Sequence, residues 1–358
     1  MYIHLFSTES TYSKALLDCI KDSIDLEKHL FIFGFAFIKF KKRTFQYDEK
    51  IENRVVRLSN PFAIARYIKL LKQSKWIYLH LLSYDPTLLF WRCNLKLVKK
   101  TTWIIWGTDI YSYQKKNNNI KTRIYESLRK TVIPYFPEIS AYVDQDMLLI
   151  NQLYHTSAEF IKTMYPYPVN FDHLDTVNSG DRKEDVINIM IGNSADATNC
   201  HEEMIDYLSH FRDKPVCIYC PLSYGGTDAY KQQIIKKGKD VFGAKFIPVL
   251  ESMNPEDYSR FLSTIDIVLM NHRRQQALGN ITALLYLGRK VYLRNDVTTY
   301  HFMLENNIQV FDVGNIEHQS FDEFKRPVDT ANENRVAIRS ISSNEYFLSL
   351  WLELFKRH

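Results

Sequence analysis

Glycine and proline are scarce in this chain, at 11 residues each in 358, which excludes collagen-like, linker-rich and low-complexity architectures. Long apolar runs are also missing. The longest, Leu30 to Ile38, is interrupted by Gly34 and falls far short of the roughly 20 residues a membrane-spanning helix requires. The N-terminal residues Met1 to Phe6 show no cationic segment ahead of an apolar one, so a signal peptide is not expected and a cytoplasmic location is. Cysteine is sparse. Cys19, Cys93, Cys200, Cys217 and Cys220 are an odd number, scattered, and read as reduced thiols. Cys217 and Cys220 have redox-motif spacing but sit inside an apolar strand pattern. They lack the helix-end field that lowers a thiol pKa. No second Cys/His pair at zinc-ligand spacing accompanies them, and no repeat of fixed period is visible.

What is present is a globular composition, with 46% hydrophobic and 24% charged residues and 23 tyrosines and 22 phenylalanines. At this length two domains are expected. Charge divides unevenly: residues 1–170 carry 25 Lys and Arg against 15 Asp and Glu, whereas the remainder carries 21 against 26. A basic first half suits an anionic partner: a membrane surface, a phospholipid-like substrate or nucleic acid. The helical pattern Lys121–Val132, with Lys121, Arg123, Arg129 and Lys130 among apolar residues, suits either a lipid face or a surface helix packed on its own sheet.

Apolar runs of strand length alternate with helical periodicity along most of the chain. Strands are expected at Tyr2–Phe6, His29–Phe33, Trp76–Leu82, Thr102–Trp106 and Ser140–Val143, then at Val186–Ile191, Val216–Cys220, Lys245–Val249, Ile265–Met270, Lys290–Leu293 and Val310–Val313. Helices are expected between them, with Asn60-Pro61 and Asp85-Pro86 as starts. Buried strands alternating with helices imply parallel sheets covered on both faces. The expectation is therefore an α/β protein of two tandem Rossmann-like domains with a cleft between them. Residues 1–175 are expected to form the first domain and 176–335 the second. Residues 336–358 form a C-terminal helix that packs back on the first. Tyr165–Pro168 and Asn178–Lys183 are the linker candidates.

In such sheets ligands bind beyond the carboxyl ends of strands, and that rule selects the loops. Gly192-Asn193-Ser194 follows the first strand of the second half, where a glycine turn and small polar side chains suit phosphate. Pro221 to Asp228, with Tyr224 and paired glycines, suits a nucleobase or ribose wall. Arg274-Gln275-Gln276 follows a strongly apolar strand and precedes Gly279, Asn280 and a helix. There the adjacent Arg273 and Arg274 offer planar donors to a diphosphate, and the helix end adds a favourable dipole. In the first half Asp109 ends a buried strand, as a general base for an acceptor hydroxyl, an orienting carboxylate or a helix cap. His80 is the second candidate, with a core role as its alternative. His4 reads as a core residue.

Several of these stretches resemble the TDP-N-acetylfucosamine:lipid II N-acetylfucosaminyltransferases, the 4-alpha-L-fucosyltransferases of glycosyltransferase family 56. They are Trp106–Tyr111, Ile191–Ser194, Asn199-Cys200-His201, Pro221–Tyr224, Arg274–Gly279 and Asp85–Leu88 after His80. The resemblance implies a GT-B fold and metal-independent transfer with no cofactor. It also implies a nucleotide-diphosphate sugar donor and a polyprenyl-diphosphate-linked saccharide acceptor at the inner membrane face, as in enterobacterial common antigen assembly. The chain departs from the family at Ala195, Ala277 and Asn280, beside the presumed donor. Two alternatives stay open on sequence. One is a nucleotide-sugar epimerase of the same fold. The other is a non-catalytic membrane-surface or nucleic-acid-binding module, disfavoured because no nucleic-acid signature is present.

Overall fold

The computed structural model describes the chain except residues 38–44, 108, 112–119, 167–168 and 178–184. The expected linker Asn178–Lys183, half of Tyr165–Pro168, and Thr108 lie outside the described residues. The chain forms two compact units. Unit 1 comprises Met1–Tyr167 with Ser343–His358, and unit 2 comprises Pro168–Ser342.

Unit 1 contains β1 (Tyr2–Phe6), β2 (His29–Phe33), β3 (Val55–Arg57), β4 (Trp76–His80), β5 (Thr101–Ile104), β6 (Glu138–Ala141) and β7 (Glu159–Lys162). They pair in parallel in the order β3-β2-β1-β4-β5-β6-β7. Unit 2 contains β8 (Ile187–Ile191), β9 (Val216–Pro221), β10 (Phe246–Val249), β11 (Ile267–Met270), β12 (Lys290–Leu293) and β13 (Phe311–Asp312). Their order is β10-β9-β8-β11-β12-β13, again parallel. Strands such as β11, Ile-Val-Leu-Met and buried throughout, are apolar on both faces because helices cover both. In each sheet the direction of winding reverses once, between β1 and β4 and between β8 and β11. At such a reversal the connecting helices leave on opposite faces and open a crevice at the strands' carboxyl ends.

β3 and β7 carry no sequence signal strong enough to be expected. Each is a short edge strand, half-buried over most of its length. Helix starts also differ from expectation. Asp85 Oδ1 accepts from Thr87 N at 2.8 Å just ahead of the helix Thr87–Cys93, whose cap position is held by Pro86, and the side chain of Asn60 makes no capping bond. The chain after Asn60 instead begins as a tight 3₁₀ segment, Pro61–Tyr67. The helix that starts after Asp85-Pro86 is broken at Asn94, whose side-chain amide donates to Phe90 O at 2.7 Å, before a second short helix, Leu95–Val98. Side chains with polar atoms near the backbone compete in this way with helix continuation.

The helix Asn344–Lys356 belongs to unit 1. Its Trp351 is fully buried and donates from Nε1 to Met164 O at 2.8 Å. It covers a sheet face built from alternate residues of β1, β2 and β4, where His4, His29 and His80 are all buried. His4 Nδ1 lies 3.1 Å from His80 Nε2 and His4 Nε2 lies 3.0 Å from His29 Nδ1. The second nitrogen of His80 meets the Tyr165 hydroxyl. Burial pushes all three imidazoles below their usual pKa, His29 to about 4, because a charged ring is poorly solvated there, and at His29 the charge of Asp25 opposes the shift only in part.

Candidate functional site

At the reversal point of unit 2 the loops after β8 and β11 are laced together by side chains. Gly192 has φ +67°, and a Cβ on it would lie 2.7 Å from both Asn199 Oδ1 and His201 Nε2. Only glycine lets the backbone pass so close. Asn193 N donates to Asn199 Oδ1 at 2.9 Å, and Asn193 Nδ2 donates to the Tyr224 hydroxyl at 2.8 Å. Gln276 joins both sides: its Nε2 donates to Asn193 Oδ1 at 3.2 Å, and its Oε1 accepts from Thr198 Oγ1 at 3.0 Å. Ser194 is buried, its Oγ within 3.3 Å of Asn199 Nδ2.

The two adjacent arginines part company. Arg273 turns to Glu203, with Nη2 to Oε1 at 2.5 Å. Arg274 is mostly covered and lies 3.7 Å from Asp196 Oδ2. Burial would raise the Asp196 pKa, but hydrogen bonds from Thr198 and the charge of Arg274 together hold it below the usual carboxylate range. The site therefore keeps a fixed cation at neutral pH beside a compensating carboxylate.

The following helix runs Leu278–Tyr286, so Gly279 and Asn280 lie in its first turn rather than ahead of it. Ala277, at φ +58°, occupies the cap position and offers no side-chain acceptor. An N-terminus without a side-chain cap presents backbone N–H groups and the positive end of the helix dipole. Gln275, half-buried, sits between Arg274 and Gln276. Pro221 closes β9. From the next strand of the same unit, a surface hollow of about 760 Å³ opens at the end of β10, lined by Pro248 to Asn254 and Asp257. Leu222 N donates to Val249 O at 2.8 Å, which joins that hollow to the Tyr224 loop.

No charge or spacing pattern in the sequence marks Asn199, His201 or His272 as binding residues, or marks the hollow. His272 Nε2 lies 2.9 Å from Asn199 Oδ1, a contact across 73 positions that no local pattern announces. Burial lowers the His201 pKa to about 4; burial, then Arg274, then His201 bring His272 to about 3. Both rings are neutral at neutral pH.

In unit 1 the two sequence candidates lie inside the protein. Asp109 is buried. Its Oδ2 accepts from Leu82 N at 3.1 Å and Trp103 Nε1 at 2.8 Å, and its Oδ1 from Trp106 N at 3.0 Å. Burial raises its pKa, opposed by Arg129 and these three donors. The carboxylate thus fixes the loops that leave β4 and β5. Arg129 is itself fully buried, its guanidinium over the rings of Tyr84, Trp103 and Tyr154 at 5.9, 5.5 and 5.2 Å. Asp109→Asn replaces one acceptor oxygen with an NH₂ that faces a backbone or indole donor. It is expected to destabilise unit 1 by about 1–3 kcal/mol, read as a shift in chemical denaturation followed by tryptophan fluorescence. His80 has both ring nitrogens engaged within the core.

The helix Ile120–Val132 carries the basic residues noted above. Ile120 and Ile124 are exposed, and Arg129 alone of the cations turns fully inward. Among the described residues no helix is long and apolar enough to cross a membrane.

Solved structures share this architecture over the full chain. Sucrose-phosphate synthase from Thermosynechococcus elongatus aligns with a TM-score of 0.72 at 9% identity, covering 100% of this chain and 98% of that one. HepE from Anabaena, in complex with UDP and glucose, aligns at 0.64 with 11% identity and 100% of both chains. An E. coli protein described as trehalose-6-phosphate bound with UDP-2-fluoro glucose aligns at 0.65 with 10% identity, over 100% and 99%. At such identities the likeness shows the fold, a GT-B-like pair of parallel sheets flanked by helices. The family model described as 4-alpha-L-fucosyltransferase glycosyl transferase group 56 matches residues 47–356, and the chain belongs to that family of glycosyltransferases.

Proposed function

We propose that the crevice of unit 2 binds the diphosphate of a nucleotide-sugar donor, and that the enzyme transfers the sugar to a polyprenyl-diphosphate-linked saccharide. The observation that carries the donor reading is the convergence, at one sheet reversal, of Arg274, the Gly192 turn and the uncapped start of the helix Leu278–Tyr286. A cation, a glycine turn and free N–H groups together neutralise a diphosphate and its developing charge as the glycosidic bond to it breaks. The hollow lined by Pro248 to Asn254 takes the nucleobase, with Tyr224 beside it. HepE, of the same fold, was crystallised with UDP and glucose. The family's description as 4-alpha-L-fucosyltransferase favours a fucose-type deoxy sugar, and the sequence resemblance favours TDP-N-acetylfucosamine as its donor.

On the acceptor side Asp109 serves as an orienting carboxylate for the loops after β4 and β5, and His80, at the end of β4, is held by His4 and Tyr165. An anionic lipid-linked acceptor, or the membrane surface that holds it, suits the excess of Lys and Arg in residues 1–170. Arg274→Ala is expected to weaken TDP or UDP binding roughly 10- to 100-fold, the value of a charge-assisted bond to phosphate. Isothermal titration calorimetry measures it directly. Unchanged affinity would remove Arg274 from the site.

A further inference from the structure

We infer that His272, acting through Asn199, is a positioning residue that locks the two donor loops in one arrangement, and that it does so as the Nε2–H tautomer. The inference rests on the donor reading of unit 2 and adds to it a residue that need not touch the ligand.

The hydrogen bonds of Asn199 settle the orientation of its amide. Nδ2 donates to Asp196 O at 2.9 Å and to Ser194 Oγ at 3.3 Å, so Oδ1 faces the other way. There it meets two groups, Asn193 N and His272 Nε2, each at 2.9 Å. The backbone N–H is a donor, so Oδ1 is an acceptor; His272 must therefore donate, which places its proton on Nε2. Asn199 is fully buried and His272 nearly so. Water cannot replace either bond without opening the loop, and the amide oxygen left behind would be a buried orphan.

This arrangement couples elements that differ in their connection to the sheet. Asn193 follows β8, Asn199 precedes the helix His201–Leu208, and His272 follows β11, two residues before Arg274. One amide oxygen thus ties the glycine turn to the strand end that carries the arginine. Arg273 N, donating to Thr198 O at 3.1 Å, and the Gln276 bridge fasten the same two loops further out. The His272 bond is the innermost of the three, so the outer pair cannot substitute for it.

Three proteins decide the matter: the wild type, His272→Leu and His272→Gln. Glutamine presents an N–H near the position of Nε2, and leucine presents none. With TDP as the calorimetric probe, His272→Leu is expected to bind roughly 10-fold more weakly. His272→Gln is expected to bind within about 2-fold of wild type, since its N–H restores the donor that leucine lacks. The Asn193 amide is expected to exchange with deuterium faster in the leucine variant only. Leucine binding TDP as the wild type does, or glutamine binding as weakly as leucine, would overturn the inference and leave the donor site standing. Long-range ¹H–¹⁵N spectra of the wild type read the tautomer without any variant having to fold. An Nε2–H pattern for His272 supports the lock, and an Nδ1–H pattern sinks it. Failure of the wild type to bind either TDP or UDP would defeat the donor reading, and this inference with it.

Discussion

Acidification from pH 7 to pH 5 is expected to unfold unit 1 ahead of unit 2. The cause is the number of neutral imidazoles each unit buries: His4, His29 and His80 in unit 1, and His201 and His272 in unit 2. Each has a folded pKa below the ordinary 6.5, so between the two values the unfolded chain binds the proton and the native state does not. Their contribution to stability is complete above about pH 6.5 and is lost as pH falls toward the folded values. At pH 5 His29 and His201, with folded values near 4, each cost about 2 kcal/mol; His4 and His80 add to the loss in unit 1 and His272 to that in unit 2. Losses of that size are a large share of the whole stability of a domain, about 5–15 kcal/mol. Asp109 acts in the opposite sense, because its raised pKa favours the native state once pH approaches it, but it is one group against three.

The tryptophans make the order measurable. Trp76, Trp91, Trp103, Trp106 and Trp351 all belong to unit 1, so intrinsic fluorescence reports that unit alone while far-ultraviolet circular dichroism reports both. The fluorescence transition is expected at the higher pH. Coincident transitions, both below about pH 4 where paired carboxylates would be responsible, would show that the buried histidines do not set acid stability.

Gly192→Ala is expected to cost about 2–5 kcal/mol of unit 2 stability and to abolish measurable nucleoside-diphosphate binding. Two costs combine. A left-handed φ costs an alanine about 1–2 kcal/mol, and overpacking a tight site costs about 1–3. The new methyl would lie 2.7 Å from Asn199 Oδ1, the oxygen that accepts from both Asn193 and His272. Displacing it undoes the joint between the two loops. Gly288→Ala is the matched control, with φ +72° and its nearest neighbour, Ala331 Cβ, at an ordinary 3.4 Å. It is expected to carry the backbone cost alone and to leave binding intact. Equal losses in urea denaturation for the two variants would mean that the contact with Asn199 has no special weight.

Much of the architecture was legible in the order of residues. The run that became β11 is continuous and apolar, and those of β1, β2 and β12 are apolar but for His4, His29 and Lys290; a strand buried on both faces has few other ways to be written. The loops beyond β8 and β11 could be singled out because binding at strand ends follows from parallel topology, whatever the ligand. Charge and position alone mark Arg274 in the sequence. Short edge strands escaped notice: β3 and β7 bury too little for their composition to be constrained.

What only the folded chain decided was partnership. Arg273 and Arg274 are neighbours in sequence and look equivalent there. In the structure Glu203, from a helix 70 positions earlier, takes the first, and the second turns toward the Gly192 loop. Three histidines spaced 25 and 76 positions from one another reveal nothing of a buried hydrogen-bonded row, because strand register, not sequence distance, brought their rings together. Composition and periodicity determined which residues had to leave water. Which polar atoms met once they had left was settled by the sheet order, since a buried donor must find its acceptor among whatever the topology sets beside it.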